Sequence, residues 1–316
     1  MKKYCFILLC LCIFCFSRAQ RSEVGTLIGT SFYMGDLNNR PFRDAKFAGG
    51  LVYRYNFTPR MALKANFLFG KITGSDEKNY SLQVLKDEKG NKLVDNEGNY
   101  VRKWNNSDRK LSFSSPITEI AAQLEINFFN VYTAPHLNQI SPYLFGGAAV
   151  FSFNPQAVYE DGVTYDLQPM GTEGQGRVIR DEHGKIIATP PNKYNLTGFA
   201  IPFGIGFKAN IGKFVCVGAE WGLRYTFTKY LDDVGGRYYD FSDENVSDIV
   251  KYFADPRYPA GEYPNPYHYS DTQRCSTTKN DWYSFAGVVI TVRIGNEDRF
   301  CDIKTNVKLK HHKGRK

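Results

Sequence analysis

An unbroken alternation of apolar side chains with small or polar ones runs from Phe214 to Thr228. Successive side chains of an extended strand point to opposite faces, so this stretch has one continuous apolar face. The strand is longer than the five or six residues usual in globular sheets, and it covers the roughly ten that a tilted strand needs to cross a bilayer. The apolar face consists of Val215, Val217, Ala219, Trp221, Leu223, Tyr225 and Phe227. This alternation favours a strand of a transmembrane β-barrel.

Seven further stretches repeat this period of two. One alternation alone is weak support, because any half-buried antiparallel sheet shows it. Eight long ones predict an all-β fold, an eight-stranded antiparallel transmembrane β-barrel. The predicted strands are Ser22–Met34, Phe47–Phe57, Met61–Ile72, about Leu111–Phe128, Pro142–Phe153, Asn195–Ile211, Phe214–Thr228 and Trp282–Ile294. In the first of them the pattern places these residues against lipid: Val24, Thr26, Ile28, Thr30 and Phe32.

The predicted connections alternate between short and long. Three span about two to twelve residues, whereas the other four run from roughly 12 to 50. Outer-membrane barrels have short periplasmic turns and longer extracellular loops, and an even strand count returns both termini to the periplasm. Acidic turns closed by glycine, such as Asp181–Gly184, predict β-hairpins in the long extracellular loops. The last loop, Leu231–Asn280, is rich in tyrosine and proline, and it could form a contact surface, a lid or merely a cap.

The amino terminus has the features of a secretory signal peptide. Two lysines precede an apolar run from Tyr4 to Phe16, and small residues stand before the expected cleavage site after Ala19. The run is too short to span a bilayer, and no later apolar run approaches spanning length, which excludes a helical membrane protein. We expect three segments: residues 1–19 as a cleaved signal, 20–295 as the outer-membrane barrel, and 296–316 as a basic periplasmic tail.

Charge and cysteine content exclude two other classes of protein. The formal net charge is +8, but residues 1–19 hold three basic and no acidic side chains, and residues 296–316 hold seven basic and three acidic ones. The remainder is nearly neutral, so we expect no nucleic-acid partner. Outside residues 1–19 the chain keeps three cysteines, Cys216, Cys275 and Cys301, and such an odd number does not indicate a disulfide scaffold.

Charged residues of both signs occupy the predicted inner faces of the strands. Eight strands enclose just enough room for their own side chains, so we interpret these residues as an ion-pair network that fills the lumen. The alternative is the selectivity lining of a conducting pore, although a pore usually has more strands. The network consists of Arg54, Lys64, Glu119, Glu125, Lys208, Glu220, Arg224 and Arg293, with Glu23 as a further inward acid.

No pattern indicates an enzyme, a cofactor or a metal site. Glu119 and Glu125 share a face and could act as an acid and a base, but their basic inward neighbours favour structural ion pairs. The glycines between Gly171 and Gly176 lack the preceding strand and following helix of a phosphate-binding loop. The acidic residues between Asp232 and Glu244 could hold calcium, but they fit no calcium-loop spacing, so we expect a solvated face there. We therefore predict a protein without catalytic residues.

A short motif follows the first predicted strand. Tyr33, Gly35, Asp36 and Leu37, within Gly29–Asn38, resemble the Y-x-G-D-L-N element of the PorG-like outer-membrane barrels of the type IX secretion (Por) system of Bacteroidetes. The resemblance implies a structural subunit of a secretion machine, which anchors the periplasmic ring of PorK and PorN at the outer membrane. The alternative is a free-standing small barrel that acts as a porin, adhesin or transporter.

The basic tail offers a candidate contact for such partners. Its positive charge would attract an acidic protein or anionic lipid headgroups, unless it is simply a solvated terminus. Cys275 is expected on the extracellular side and Cys216 in the lumen, so Cys301 is a candidate for a disulfide with a ring protein. The expected partners are outer-membrane lipids and, by the resemblance, PorK and PorN. The candidate contact residues are Cys301, Lys304, Lys308 and Lys310.

Overall fold

The computed structural model describes the strands of a barrel and much of the loops at one of its ends. The described residues are 22–78, 81–84, 102–105, 109–129, 140–177, 179–180, 186–188, 192–211, 214–239, 241, 246–257, 274–275 and 279–294. The expected signal peptide and the basic tail lie outside them. So do two further acidic turns closed by glycine, residues 87–90 and 95–98, which the sequence also predicts as hairpins.

Fourteen strands and two short helices occur within this described part of the chain. In chain order they are β1 (Ser22–Met34), β2 (Lys46–Asn56), β3 (Met61–Ser75), β4 (Ser81–Val84), β5 (Arg102–Asn105), β6 (Ser112–Asn127), β7 (Ile140–Phe153), β8 (Gln156–Val158), β9 (Thr164–Asp166), α1 (Leu167–Met170), β10 (Ile179–Arg180), β11 (Ile186–Ala188), β12 (Thr197–Ile211), β13 (Val215–Thr226), α2 (Asp248–Ala254) and β14 (Trp282–Ile294). Neither helix is long and apolar enough to cross a membrane.

The eight long strands close into an antiparallel barrel. Their order is β3-β2-β1-β14-β13-β12-β7-β6, and pairing of β3 with β6 completes the circle. This confirms the predicted fold class, and β1 and β14 have the predicted bounds. The turns β2–β3, β6–β7 and β12–β13 lie at one end, which we name the short-turn end. The other end, with the longer connections, is the long-loop end.

The two faces of the wall differ as the period of two predicts. Large apolar side chains stay exposed on the outside, for example Leu51 at 64% and Ile120 at 65%, whereas the alternate side chains are buried in the lumen. Exposed aromatic side chains occur near both ends, such as Phe57 and Phe128 at the short-turn end and Phe199 and Phe227 at the other. An apolar outer band with aromatic girdles is the surface that a bilayer requires of a spanning barrel.

Phe32 departs from the predicted lipid contact. Its side chain is 0% exposed, because Phe42 from the β1–β2 connection covers it with ring centroids 4.6 Å apart. The Phe42 ring also lies 5.4 Å from the ring of Trp221 on β13. The prediction that Phe32 touches lipid is therefore wrong, because a loop folds back over the outer wall where alternation alone predicts bare strand.

Aromatic side chains of β7 lie over glycines of the neighbouring strands β12 and β13 on the inner wall. A Cβ at Gly206 would lie 2.3 Å from the ring of Tyr143, and one at Gly222 would lie 2.6 Å from the ring of Phe145. Only glycine leaves room for these rings at such close approach. The rings and the ionic side chains together fill the interior, in keeping with the small bore of an eight-stranded barrel.

The long-loop end is closed by a folded cap. We define the cap as the described residues of the β3–β6, β7–β12 and β13–β14 connections, which include β8, β9, α1 and α2. Leu231, Val234 and Phe253 from the last connection are buried in the same apolar cluster as Leu111 and Leu167 from the other two. The described part of the tyrosine-rich loop thus packs onto the barrel.

The shorter strands form hairpins in this region. β8 and β9 extend the β6 edge, where Gln156 pairs with Ser114. β4 pairs with β5, and β10 pairs with β11 on either side of residues 181–185. The hairpin predicted around Asp181–Gly184 is therefore present, although its turn lies outside the described residues.

Candidate functional site: the filled lumen and its cap

The charged cluster nearest the short-turn end centres on Arg54. Its Nη1 donates to Glu23 Oε2 at 2.7 Å, and its Nε donates to Glu125 Oε2 at 3.1 Å. Lys208 forms an ion pair with the other oxygen of Glu125, and Arg293 Nε lies 3.6 Å from Glu23 Oε1. Two carboxylates are thus shared among three cations within one connected network.

A second cluster lies half-way along the lumen. Lys64 forms an ion pair with Glu220, and the hydroxyl of Tyr143 donates to Glu220 Oε2 at 2.8 Å. The Lys64 ammonium also lies 4.2 Å from the centroid of the Phe145 ring. Lys64 is 0% exposed and Glu220 is 5% exposed. A buried charge is tolerated here because hydrogen bonds and the ring face replace the lost water.

The third cluster lies closer to the cap and has bidentate geometry. Arg224 Nε donates to Glu119 Oε2 at 3.0 Å and its Nη2 donates to Glu119 Oε1 at 3.1 Å. Tyr283 adds a hydrogen bond to Glu119 Oε2 at 2.7 Å, and Arg224 Nη1 donates to the carbonyl of Gly222 at 2.7 Å. Paired parallel hydrogen bonds make this the most specific of the three contacts.

The structure thus places all eight of the sequence-predicted network residues on the inner wall. It does not bring Glu119 and Glu125 together as a catalytic pair. Glu119 bonds to Arg224 and Tyr283, whereas Glu125 bonds to Arg54 and Lys208. A carboxylate held by two donors within a packed lumen has no room for a substrate, so the arrangement favours ion pairs over acid–base chemistry.

Several amide atoms in the lumen have no hydrogen-bond partner among the described residues. They are Asn66 Oδ1, Gln123 Nε2, Asn127 Oδ1 and Asn210 Nδ2. Buried polar atoms of this kind usually bind ordered water.

Where the lumen meets the cap, Tyr33 binds two carboxyl groups. The Tyr33 hydroxyl lies 2.6 Å from Asp232 Oδ2 and 2.8 Å from Asp281 Oδ1. All three side chains are at most 2% exposed. One phenol proton cannot serve two ionised carboxylates, so one carboxyl group must itself be protonated to donate. We name Tyr33, Asp232 and Asp281 the latch, because they join β1 to both ends of the last loop.

The other motif residues shape the chain around this latch. A Cβ at Gly35 would lie 2.0 Å from Tyr33 Oη and 2.3 Å from Asp281 Oδ1, so only glycine fits. The backbone N–H of Asp36 donates to Tyr33 Oη at 3.0 Å. Leu37 is 1% exposed within the apolar cluster beneath the cap. The four motif residues therefore lie together at the barrel rim, where they hold the cap.

A second polar cluster joins the loops of the cap to one another. Arg274 Nη1 donates to Thr172 Oγ1 at 3.0 Å and to the Asp233 carbonyl at 3.0 Å, and it lies 3.3 Å from Glu173 Oε1. Arg109 Nη1 donates to the Arg274 carbonyl at 2.5 Å. One arginine of the last loop therefore connects the β3–β6 and β7–β12 connections.

Burial changes the acidity of the carboxyl groups in the cap. Burial raises the pKa of Asp281 to about 8, and the nearby charge of Asp36 adds a smaller increase. Burial also raises the pKa of Asp232 well above its usual range, and the charge of Asp281 raises it further. Burial also raises the pKa of Glu173 to about 7, despite the opposing effect of Arg274. The cap thus holds protons that these groups would release in water.

When the chain is compared with known protein families, one family model matches its first half. The model of a family described as a domain of unknown function, DUF6089, matches residues 2–172. The chain belongs to the DUF6089 family. The match covers β1 to β9, including the latch tyrosine and the motif that follows it. A comparison with curated proteins finds no match.

Three solved structures resemble this DUF6089 chain in fold. Ail, the attachment invasion locus protein of Yersinia pestis, is 8% identical with a TM-score of 0.34, and the alignment covers 86% of this chain and 96% of Ail. Neisserial surface protein A is 9% identical with a TM-score of 0.36 over the same shares. CarO2 of Acinetobacter baumannii is 12% identical with a TM-score of 0.26, over 85% and 97%. TM-scores this low do not allow individual residues of these proteins to be matched to residues of this chain.

Sequence reasoning missed the latch and the Arg274 cluster of this DUF6089 chain. The composition of this acidic stretch predicts a solvated face, and for Asp232 and Asp233 that prediction is wrong, because both are 1% exposed. The acidic pair lies between the apolar residues Leu231 and Val234. These apolar neighbours are the sequence feature that could have indicated burial. Among the described residues no cluster of histidine, cysteine or acidic side chains is arranged to hold a metal ion. Cys216 and Cys275 are buried and free, whereas Cys301 and the tail lysines lie outside the described residues.

Proposed function

We propose that this DUF6089 protein is a non-enzymatic structural subunit of the outer membrane, and that it serves as an anchor for a protein secretion machine. The observation that carries the proposal is the filled lumen. Three ion-pair clusters span the inner wall, and the latch joins its upper end to the cap. A barrel filled in this way would act through its two ends and its outer surface.

The resemblance of the motif at Gly29–Asn38 to PorG-like barrels supports type IX secretion as the machine. In this proposal the short-turn end faces the periplasm, both termini lie there, and the PorK/PorN ring docks at that end. Residues 1–19 are removed as a signal, residues 20–295 form the barrel region, and residues 296–316 contribute the basic contact. Lys304, Lys308 and Lys310 attract an acidic surface of the ring.

Deletion of the gene tests this proposal directly. We expect loss of secreted cargo and, in a strain that carries an affinity-tagged copy, co-purification of the ring proteins. A copy that lacks residues 296–316 should reach the outer membrane but recover fewer ring proteins. Unimpaired secretion in the deletion strain would contradict the proposal.

Cys301 provides a more local test. We propose that it forms an intermolecular disulfide with a ring protein, since the other two cysteines are buried within the barrel and the cap. Non-reducing gels of envelope fractions should contain a band of higher mass that disappears in Cys301→Ser and persists in Cys275→Ser. Absence of such a band in the wild type would rule out the disulfide, but not the anchoring role.

The folded cap favours a second candidate, a free-standing barrel that binds a partner at its long-loop end. A buried apolar cluster and the Arg274 contacts hold three loops together, as an ordered binding surface would require. The filled lumen argues against a porin or transporter. Normal secretion in the deletion strain, combined with reduced adhesion to host or neighbouring cells, would favour this candidate.

A further inference from the structure

A pocket lies in the cap, where all four of the longer connections line it. The β1–β2 connection contributes Leu37, the β3–β6 connection Lys110, the β7–β12 connection Leu167 and the β13–β14 connection Arg274. The pocket contains about 370 Å³ of empty space, its open mouth included. This volume is near the lower end of the range for ligand sites, so it suits a small ligand. We name this space the cap pocket.

Apolar side chains form most of the wall of the cap pocket. Lys110 and Val158 line it as exposed residues, so they mark its mouth. An apolar wall around a small volume favours a ligand with a hydrocarbon body, because that body removes the wall from water. The buried part of the wall consists of Leu37, Leu111, Ala157, Leu167, Val234 and Phe253, each at most 7% exposed.

Arg274 supplies an unused hydrogen-bond donor at the buried side of the pocket. Its side chain is 2% exposed. Its Nη1 donates to Thr172 Oγ1 and to the Asp233 carbonyl, and its Nη2 donates to the Phe253 carbonyl at 2.9 Å. The Nε of Arg274 has no hydrogen-bond partner among the described residues. A buried donor is costly to leave unpaired, so an acceptor within the pocket would stabilise the cap.

The charges around the pocket favour an anionic ligand. Lys110 places a second cation at the mouth, and it forms no ion pair within the part of the chain that the structure describes. Asp232 also lines the pocket, but burial raises the pKa of its carboxyl group well above the usual range and so favours its uncharged form. The exposed Glu77 and Glu160 lie near Tyr252 but line no part of the pocket, and solvent screens such charges.

We propose that the cap pocket binds a small organic anion, a carboxylate on a short hydrocarbon chain. One carboxylate oxygen accepts the hydrogen bond from Arg274 Nε, the Lys110 ammonium attracts the charge, and the chain packs against the apolar wall. A cation would meet two like charges and leave Nε without an acceptor. A neutral amide would satisfy Nε but gain nothing from the charge of Lys110. This binding is independent of the role in secretion proposed above.

Fluorine NMR tests the proposal with trifluorobutyrate as the probe. The full chain would be folded in detergent micelles, and empty micelles would serve as the blank. We expect saturable broadening of the fluorine signal, and about ten-fold weaker binding of trifluorobutyramide, the neutral analogue of similar shape. Lys110→Gln should raise the apparent Kd of the anion about three-fold and leave that of the amide unchanged.

Ala157→Leu should abolish binding, because the larger side chain fills the pocket from its wall. Heat-modifiable gel mobility and limited proteolysis show whether the barrel and the cap of each variant remain folded. Lys193→Gln is the matched control, because it removes an exposed lysine of the cap that does not line the pocket, and it should leave the apparent Kd unchanged.

Four results would overturn the proposal. They are a wild type without saturable broadening, an amide that binds as tightly as the anion, a folded Ala157→Leu variant that binds like wild type, and equal weakening in Lys110→Gln and Lys193→Gln.

Discussion

The lumen and the latch both bury carboxyl groups, but they neutralise them differently. In the lumen Glu119 meets Arg224 and Glu220 meets Lys64, so each negative charge has a positive partner. In the latch Asp232 and Asp281 meet the hydroxyl of Tyr33. The lumen therefore depends on charge pairing, whereas the latch depends on a retained proton. Variants and pH should distinguish these two modes.

The largest effect is expected from Arg224→Met. This change leaves Glu119 buried with only Tyr283 as a donor, and an uncompensated buried charge costs about 3–5 kcal/mol. The free energy of unfolding of the barrel, measured by urea titration in lipid vesicles, should fall by this amount.

The double variant Glu119→Gln/Arg224→Met is its control. Because it removes both charges, it should recover most of the lost stability, within about 1–2 kcal/mol of wild type. A single variant as stable as wild type would show that the lumen admits enough water to solvate Glu119, and the account of a packed lumen would fail.

The second-largest effect is expected from pH, which should change the stability of the cap but not that of the barrel. The pKa of Asp281 is raised from an ordinary 3.8 to about 8, so the folded cap binds more protons than the open one. Its stability is complete below about pH 4 and is lost as the pH rises through about 8, by at most about 1.4 kcal/mol per pH unit. Glu173, with a pKa of about 7, acts in the same direction.

Amide hydrogen exchange of Leu231–Val234 across this pH range, corrected for the intrinsic rate, measures the opening of the cap. In Asp281→Asn the slope should become smaller, because the amide cannot lose a proton. Exchange in β6 should show no comparable slope. A wild-type cap that becomes more protected as the pH rises would contradict the assignment of the latch proton.

The sequence predicts features that depend on local strand geometry, and it leaves open those that depend on contacts between distant segments. Alternation in Phe214–Thr228 predicts which side chains face inward, because strand geometry is local. It cannot tell that Arg54 bonds to both Glu23 and Glu125, since their pairing depends on how the closed barrel brings separate strands together. The latch is more remote still, because Tyr33 and Asp281 are 248 residues apart.

Loops explain the remaining differences from the sequence predictions. Phe32 follows the alternation perfectly, yet Phe42 covers it, because a connection can fold over a wall as well as above it. The acidic residues after Leu231 have the composition of a solvated surface, and only tertiary packing buries them. In both cases the deciding contact comes from a segment without a regular period.

A third prediction tests the fit of the motif at the latch. Gly35→Ala would place a methyl group in contact with Tyr33 Oη and Asp281 Oδ1, and overpacking of this kind costs about 1–3 kcal/mol. Limited proteolysis should cut the cap faster, while the urea midpoint of the barrel should change little. Gly146→Ala is the control, since a Cβ there meets its nearest atom at 3.8 Å. Equal protease resistance in both variants would show that the latch does not require glycine at position 35.

The smallest effect is expected from the exposed ion pair at the rim, which contains the same chemical groups as a pair in the lumen. The side chain of Lys78 is 63% exposed where it meets Asp44, whereas the side chain of Lys64 is 1% exposed where it meets Glu220. Lys78→Gln should lower the free energy of unfolding by less than about 1 kcal/mol, and added salt should abolish the difference by screening. Lys64→Gln leaves Glu220 buried, so it should cost several times more and respond little to salt. Equal losses in the two variants would mean that burial does not govern these pairs, and the contrast between the lumen and the surface would collapse.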